Sequence, residues 1–202
     1  MRIGVVGGTF DPIHLGHVAL AEGARSCARL DRVLLIPAAD PPHRNGPVAS
    51  AQDRLEMVRL AARAHDGLEV SDIELRRDGP SYTADTLAAL ASEMPGSELF
   101  LVLGWDAAAE LRSWRRPDEV LRLARLLVVP RPGLPPPGET ELRSAGIDPA
   151  RTLLCPITTP RVDATDIRER GRRGESLRGL VDPAVEAYLR RRRLYGSRAR
   201  EP

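Results

Sequence analysis

The sequence predicts an α/β fold: a parallel β-sheet flanked by helices, with a small helical subdomain at its C-terminal end. Three observations predict it. Short, continuous apolar runs alternate along the chain with amphipathic stretches. The apolar runs are not broken by polar residues at every second position, as strands with one wet face would be, so both faces of the sheet are covered. The 202 residues are enough for one domain whose core folds unaided.

The elements follow in order. Residues 2–7 are apolar and β-branched and form the first strand, and residues 15–30 carry helical periodicity. The run RVLLIP at 32–37 is a second buried strand, and AQDRLEMVRLAARA at 51–64 a second amphipathic helix. Residues 68–75 read as a strand, 83–94 as a helix and 99–103 as another buried strand; shorter strands follow at 126–129 and 153–157. Residues 163–173 and 182–193 are helical, each opened by an aspartate, Asp163 or Asp182, that suits the free N–H groups of a first turn. The proline-rich stretch 131–138 is an exposed turn, too short to separate domains. A single domain is therefore expected over 1–196, with its helical part at about 161–196 and a disordered tail at 197–202. Ligands in such folds sit beyond the carboxyl ends of the strands, where the strand order reverses.

Composition excludes several classes. With 42% hydrophobic and 29% charged residues, the chain is neither a disordered tail nor a membrane protein. No apolar run approaches the roughly 20 residues that span a bilayer, and the first residues are too poor in apolar side chains for a signal peptide. Cys27 and Cys155 lack CxxC spacing, which points to a reducing compartment and no metal knuckle. The expected location is the cytoplasm. All 30 basic residues are arginine, and acidic residues almost balance them to leave +2. With aromatics at 3%, there is little to stack on bases, so an RNA-binding reading, which would demand salt-sensitive binding, is disfavoured. The run Arg190-Arg191-Arg192-Arg193 reads as a solvated face at a helix end.

The sharpest signal stands directly after the first strand: Gly7-Gly8-Thr9-Phe10-Asp11-Pro12-Ile13-His14-Leu15-Gly16-His17. Two glycines allow a tight exit from the strand and close approach to a ligand. The helix that starts near His14 and Leu15 aims its free N–H groups and positive dipole end at the same place, so the expected occupant is an anion. His14 and His17, three residues apart, share a face and can donate to a phosphate. A zinc site is the competing reading of HxxH, but nothing nearby supplies a third ligand.

This segment resembles the signature of the HxGH nucleotidyltransferase superfamily, and its Gly-Gly-Thr-Phe start is similar to the nicotinate mononucleotide adenylyltransferase branch. The dinucleotide fingerprint GxGxxG is absent, so a Rossmann-like sheet here does not imply hydride transfer. The resemblance implies that Gly7, Gly8, Thr9, Phe10, His14 and His17 contact ATP. Four further segments resemble the same branch. In Pro41-Pro42-His43-Arg44, His43 and Arg44 would face the mononucleotide phosphate, with Arg44 standing where the family often has lysine. In Ser81-Tyr82-Thr83, a helix start that Ser81 or Thr83 could cap, Tyr82 and Thr83 would meet the nicotinate carboxylate. Gly104 and Asp106 would serve ATP, Asp106 through ribose hydroxyls or a metal–phosphate, and Trp114 would stack on the pyridine ring. Trp105 has no assigned role beyond core packing. Near the C-terminus, Val162-Asp163-Ala164-Thr165-Asp166-Ile167-Arg168 keeps the family's Thr165, Ile167 and Arg168, but Asp163 and Ala164 replace two serines. Thr165 and Arg168 would bind the triphosphate, while a carboxylate at 163 repels it.

The implied chemistry is in-line transfer of the adenylyl group of ATP to nicotinate mononucleotide, without a covalent intermediate. His14, His17, Arg44 and Arg168 would carry catalysis by positioning and charge stabilisation. Mg²⁺ would arrive with ATP rather than in a protein cage. The expected partners are these two substrates, with no nucleic acid and no membrane; a homo-oligomer stays open. The alternatives are the same transfer to nicotinamide mononucleotide or phosphopantetheine, and a nucleotide-binding regulator that has lost turnover.

Overall fold

The structure, a computed structural model, describes residues 1–41, 47–130 and 135–196. Its centre is a six-stranded sheet of β1 (Arg2–Gly8), β2 (Arg32–Pro37), β3 (Leu68–Val70), β4 (Glu98–Gly104), β5 (Ala124–Val129) and β6 (Thr152–Leu154). All neighbours pair in parallel, in the order β3-β2-β1-β4-β5-β6. The fold is the Rossmann-like sheet that the apolar runs predict, and its order reverses between β1 and β4.

Because successive strand residues face opposite ways, each apolar run feeds two cores. Val6, Val33, Leu35, Phe100, Val102 and Leu127 pack on one face beneath α1 (Leu15–Cys27) and α2 (Ala51–Ala62). Ile3, Val5, Leu34, Ile36, Leu99 and Leu101 pack on the other with α3 (Thr83–Glu93), α4 (Trp105–Ala109), α5 (Pro117–Leu123) and α6 (Glu139–Ser144). α7 (Ala164–Arg173) and α8 (Pro183–Arg192) bury Ile167, Val185 and Leu189 in the first core, beside α1 and α2. The hydroxyl of Tyr188 donates to Asp53 Oδ1 at 2.8 Å, fastening α8 to α2.

Four expectations are corrected, among them the strand expected over 153–157, which ends at Leu154, and three short helices appear that the periodicity did not show. The strand expected over 68–75 ends at Val70; beyond it Ser71 N still reaches Leu35 O, and then Arg76 Nε pairs with Asp72 at 2.9 Å across a turn. α1 stops at Cys27, since Arg29 takes a left-handed φ of 49° that an α-helix cannot continue through. α4, α5 and α6 run only 5, 7 and 6 residues, too short for a 3.6-residue period to show. Cys27 and Cys155 are joined in a disulfide across 128 residues of sequence, against the expectation of reduced thiols. A spacing motif cannot reveal a pair that only the fold brings together. The bond ties the end of α1 to the segment after β6. Among the described residues, no helix is long and apolar enough to cross a membrane.

Candidate active site

The strand order reverses between β1 and β4, and two cavities open there on opposite faces of the sheet. A cleft of about 240 Å³ is lined by His14, His17, Gly104, Trp105 and Asp106, with Ile157 and Val162 on its far wall. A second cavity of about 110 Å³ is lined by Gly7, Gly8, Ala38, Thr83, Leu103 and Trp114. Consecutive residues at the tip of β4, Leu103 and Gly104, each line one of them. Two ligands seated in these cavities would meet end to end at the tips of β1 and β4.

The corner between them is built differently from what its glycines suggest. Gly7 and Gly8 still belong to β1; the chain turns at Phe10, whose φ is 49°, and at the cis Asp11–Pro12 bond. Gly8 lies close against Phe10: a Cβ there would stand 3.0 Å from the ring, which would have to give way by a few tenths of an ångström. At Gly7 a Cβ would meet nothing within 4 Å, which leaves open space on the ligand side. Phe10 itself is buried, and its ring meets His17 edge-on at 5.0 Å. Phe10 is therefore placed to support His17 rather than to contact a ligand. Thr9 offers its carbonyl inward to Arg54 Nη1 at 2.9 Å.

His14 is the N-cap of α1 and His17 lies one turn in. Their rings stack at 3.6 Å. His17 Nδ1 accepts the His14 backbone N–H at 3.3 Å, so in the neutral ring the proton sits on Nε2 as a donor. Gly16 makes room for this stack: a Cβ there would lie 3.0 Å from His14 Nδ1. His14 is buried with Nδ1 unpartnered. Burial lowers its pKa to about 4, against a smaller upward pull from Asp163. A base depressed in the folded state leaves unfolding to take up a proton, so stability is intact above pH 6.5 and declines as pH falls towards about 4. We expect His14→Asn, which can still cap the helix, to flatten the pH dependence of urea unfolding in that window. An unchanged slope would show that His14 does not titrate as described.

The second cavity meets the start of α3. Tyr82 is its N-cap and no side chain caps the helix, so its N–H groups and dipole face an incoming anion. Thr83 lines the cavity. Tyr82 instead lies under Arg115, whose guanidinium sits 4.9 Å from the ring centre. Ser81 is not the cap expected from the sequence, because its Oγ accepts Ala39 N at 2.9 Å and holds the chain after β2. Trp114 is half-buried on the cavity wall. Arg116 pairs with Asp85 of α3 and so keeps the Trp114 turn beside Thr83.

Thr165 and Arg168 depart from their expected place. Neither lines the cleft; Arg168 Nη1 donates to the Asp11 carbonyl at 2.7 Å and Nη2 to Thr165 Oγ1 at 3.0 Å. Asp163 caps α7 itself, accepting from Thr165 N at 2.7 Å and Asp166 N at 3.2 Å. Partial burial alone would raise its pKa, but these N–H donors hold it below the usual carboxylate range. Two N–H groups of the first turn of α7, those of Thr165 and Asp166, are thus already engaged. His43 and Arg44 lie outside the described residues. Sequence reasoning missed Glu74, a buried carboxylate on the second cavity that accepts the Thr86 hydroxyl at 2.6 Å, and left Trp105, on the wall of the first, unassigned. Glu74 sits in a stretch that reads as strand, so nothing local marked it.

These features agree with what the chain is similar to. It matches the cytidylyltransferase-like family over residues 5–170, which places it in that class of nucleotidyltransferases. A protein of Synechococcus sp. (strain JA-3-3Ab) named "Probable nicotinate-nucleotide adenylyltransferase" is 41% identical over 195 residues, covering 96% of this chain and 94% of that one. Its namesake in Pseudomonas entomophila (strain L48) is 44% identical over 207 residues, with the same coverage of 96% and 94%. The chain belongs to the nicotinate-nucleotide adenylyltransferase family. Among solved structures, the Plasmodium falciparum nicotinic acid mononucleotide adenylyltransferase complexed with NaAD shares the fold, with a TM-score of 0.80 at 15% identity over 98% of each chain.

Proposed function

We propose that this enzyme transfers the adenylyl group of ATP to the phosphate of nicotinate mononucleotide, releasing pyrophosphate and giving deamido-NAD, in the cytoplasm. The observation that carries this reading is the pair of cavities meeting at the β1–β4 tip, one holding the histidine pair and the other an uncapped helix start beside Trp114. Adenosine fits the larger cleft, between Trp105 and Ile157, with Asp106 able to accept from ribose hydroxyls. The mononucleotide fits the smaller cavity, its pyridine on Trp114 and its carboxylate at the α3 N-terminus, where a negative group gains and a neutral amide does not.

A phosphate oxygen of the mononucleotide then bonds to the α-phosphorus while the bond from that phosphorus to the β-phosphate oxygen breaks. His17 Nε2–H donates to a non-bridging oxygen of the crowded α-phosphate, and the neutral His14 ring backs it. Among the described residues, no group of three His, Cys, Asp or Glu could hold a metal ion. In this reading Mg²⁺ enters as part of the MgATP substrate, and Asp106 is the carboxylate lining the cleft that would meet it.

Initial rates of pyrophosphate release with MgATP and each of nicotinate mononucleotide, nicotinamide mononucleotide and phosphopantetheine test this. The highest kcat/KM is expected with the nicotinate form. A faster amide or pantetheine reaction overturns the substrate, and no release with any acceptor overturns the activity. Asp163 gives a second check. One charge near the triphosphate costs about 1 kcal/mol at roughly 4 Å in water, so Asp163→Ser, which still caps α7, should lower KM for ATP about fivefold. An unchanged KM would mean that the triphosphate runs clear of α7.

A further inference from the structure

The guanidinium of Arg54, in the first turn of α2, is 1% exposed and lines neither cavity. It donates to three backbone carbonyls on two different loops: Nη1 to Thr9 at 2.9 Å and to Ala38 at 2.5 Å, and Nη2 to Ala39 at 3.3 Å. Thr9 leads from β1 into the histidine turn, and Ala38 lines the second cavity. Arg54 is thus a cross-tie between the wall of one cavity and the corner that carries His14 and His17.

Asp11, itself buried, is a negative charge that acts on this cation through space, its own oxygens being bound elsewhere. Asp11 Oδ1 accepts the Tyr195 hydroxyl at 2.5 Å and Ala49 N at 3.1 Å, and Oδ2 accepts Val48 N at 2.7 Å. Its carbonyl accepts Arg168 Nη1. Buried charges are an expensive way to stabilise a fold, since apolar side chains of similar volume often do as well or better. What an apolar residue cannot do is bind three carbonyls of two loops at once, which a forked guanidinium can.

We propose that Arg54 is a positioning residue for adenylyl transfer, setting the distance and angle between the two substrate phosphates by fixing the Thr9 turn against Ala38. It touches no substrate. Its effect passes through His17 on one side and the mononucleotide wall on the other, so it falls on the in-line alignment of the reacting atoms. Binding of adenosine, whose wall is Trp105, Asp106 and Ile157 on other elements, stays largely outside its reach. This inference rests on the proposed two-cavity reading of the site.

The test is Arg54→Lys, which keeps a cation but not the planar fork, with kcat and KM measured separately using whichever of the three acceptors the unaltered enzyme uses fastest. Thermal unfolding and far-UV circular dichroism report whether the variant is folded. The expected result is a folded protein whose kcat falls at least about tenfold while KM for ATP stays within about threefold. If Arg54→Lys does not fold, the double variant Arg54→Met/Asp11→Asn, which removes both buried charges, is expected to fold and to show the same loss of kcat. A folded variant with kcat near that of the unaltered enzyme overturns the inference. So does a loss that follows only the folded fraction, or one that appears in KM for ATP alone. An unaltered enzyme that releases no pyrophosphate with any acceptor overturns the proposed function instead, so the two failures are distinct.

Discussion

Alanine at position 17 is expected to lower turnover about 100- to 1,000-fold, the usual loss when one preorganised donor to a developing charge is removed. The KM for nicotinate mononucleotide should stay within about threefold, because the ring serves the transferring phosphate rather than the acceptor's binding. In the proposed mechanism this histidine carries the larger share because of how its ring is held. His17 is held on three sides: by the His14 backbone N–H on Nδ1, by the His14 ring stacked on its face and by Phe10 at its edge. Its Nε2–H is thereby aimed in advance, and no reorganisation is needed as charge develops. Glutamine at 17, with an amide N–H of similar reach, should recover part of the loss. Steady-state rates for the two variants check this; turnover within about threefold of normal in the alanine variant would remove His17 from the mechanism.

The second large effect is expected at Trp114. Stacking of a flat ring on an aromatic side chain contributes about 1–3 kcal/mol, so Trp114→Ala should raise KM for the mononucleotide about 5- to 150-fold. The KM for ATP should hardly move, since Trp114 and the histidine cleft lie on opposite faces of the sheet. Phenylalanine at 114 should keep most of the affinity. Equal losses for both substrates would mean that Trp114 supports the fold of the α3–α5 edge rather than a ligand.

Much of this was legible in the chain because the strands are buried on both faces. RVLLIP at 32–37 and the run at 99–103 have no alternation to misread, and parallel pairing follows from the helices between them. The histidine corner was legible because its chemistry is local: one strand end, one helix start and two imidazoles within four residues. What the chain hid was long-range. Arg54 reads as one more charged residue on an amphipathic helix, yet it faces inward because Asp11 and three carbonyls await it. Glu74 looks like the polar side of a strand that in fact ends at Val70. Cys27 and Cys155 meet only after the sheet is assembled. Arg168 shows the converse: it keeps its place in the motif, but its guanidinium goes to the Asp11 carbonyl.

The innermost phosphate of ATP is proposed to lie at the β1–α1 corner, a placement that a crystal structure with a non-hydrolysable ATP analogue and Mg²⁺ tests most directly. The α-phosphate is expected within hydrogen-bonding reach of His17 Nε2, about 2.7–3.2 Å, with adenosine between Trp105 and Ile157. An analogue seated elsewhere, with His14 and His17 still stacked on an empty corner, would contradict it.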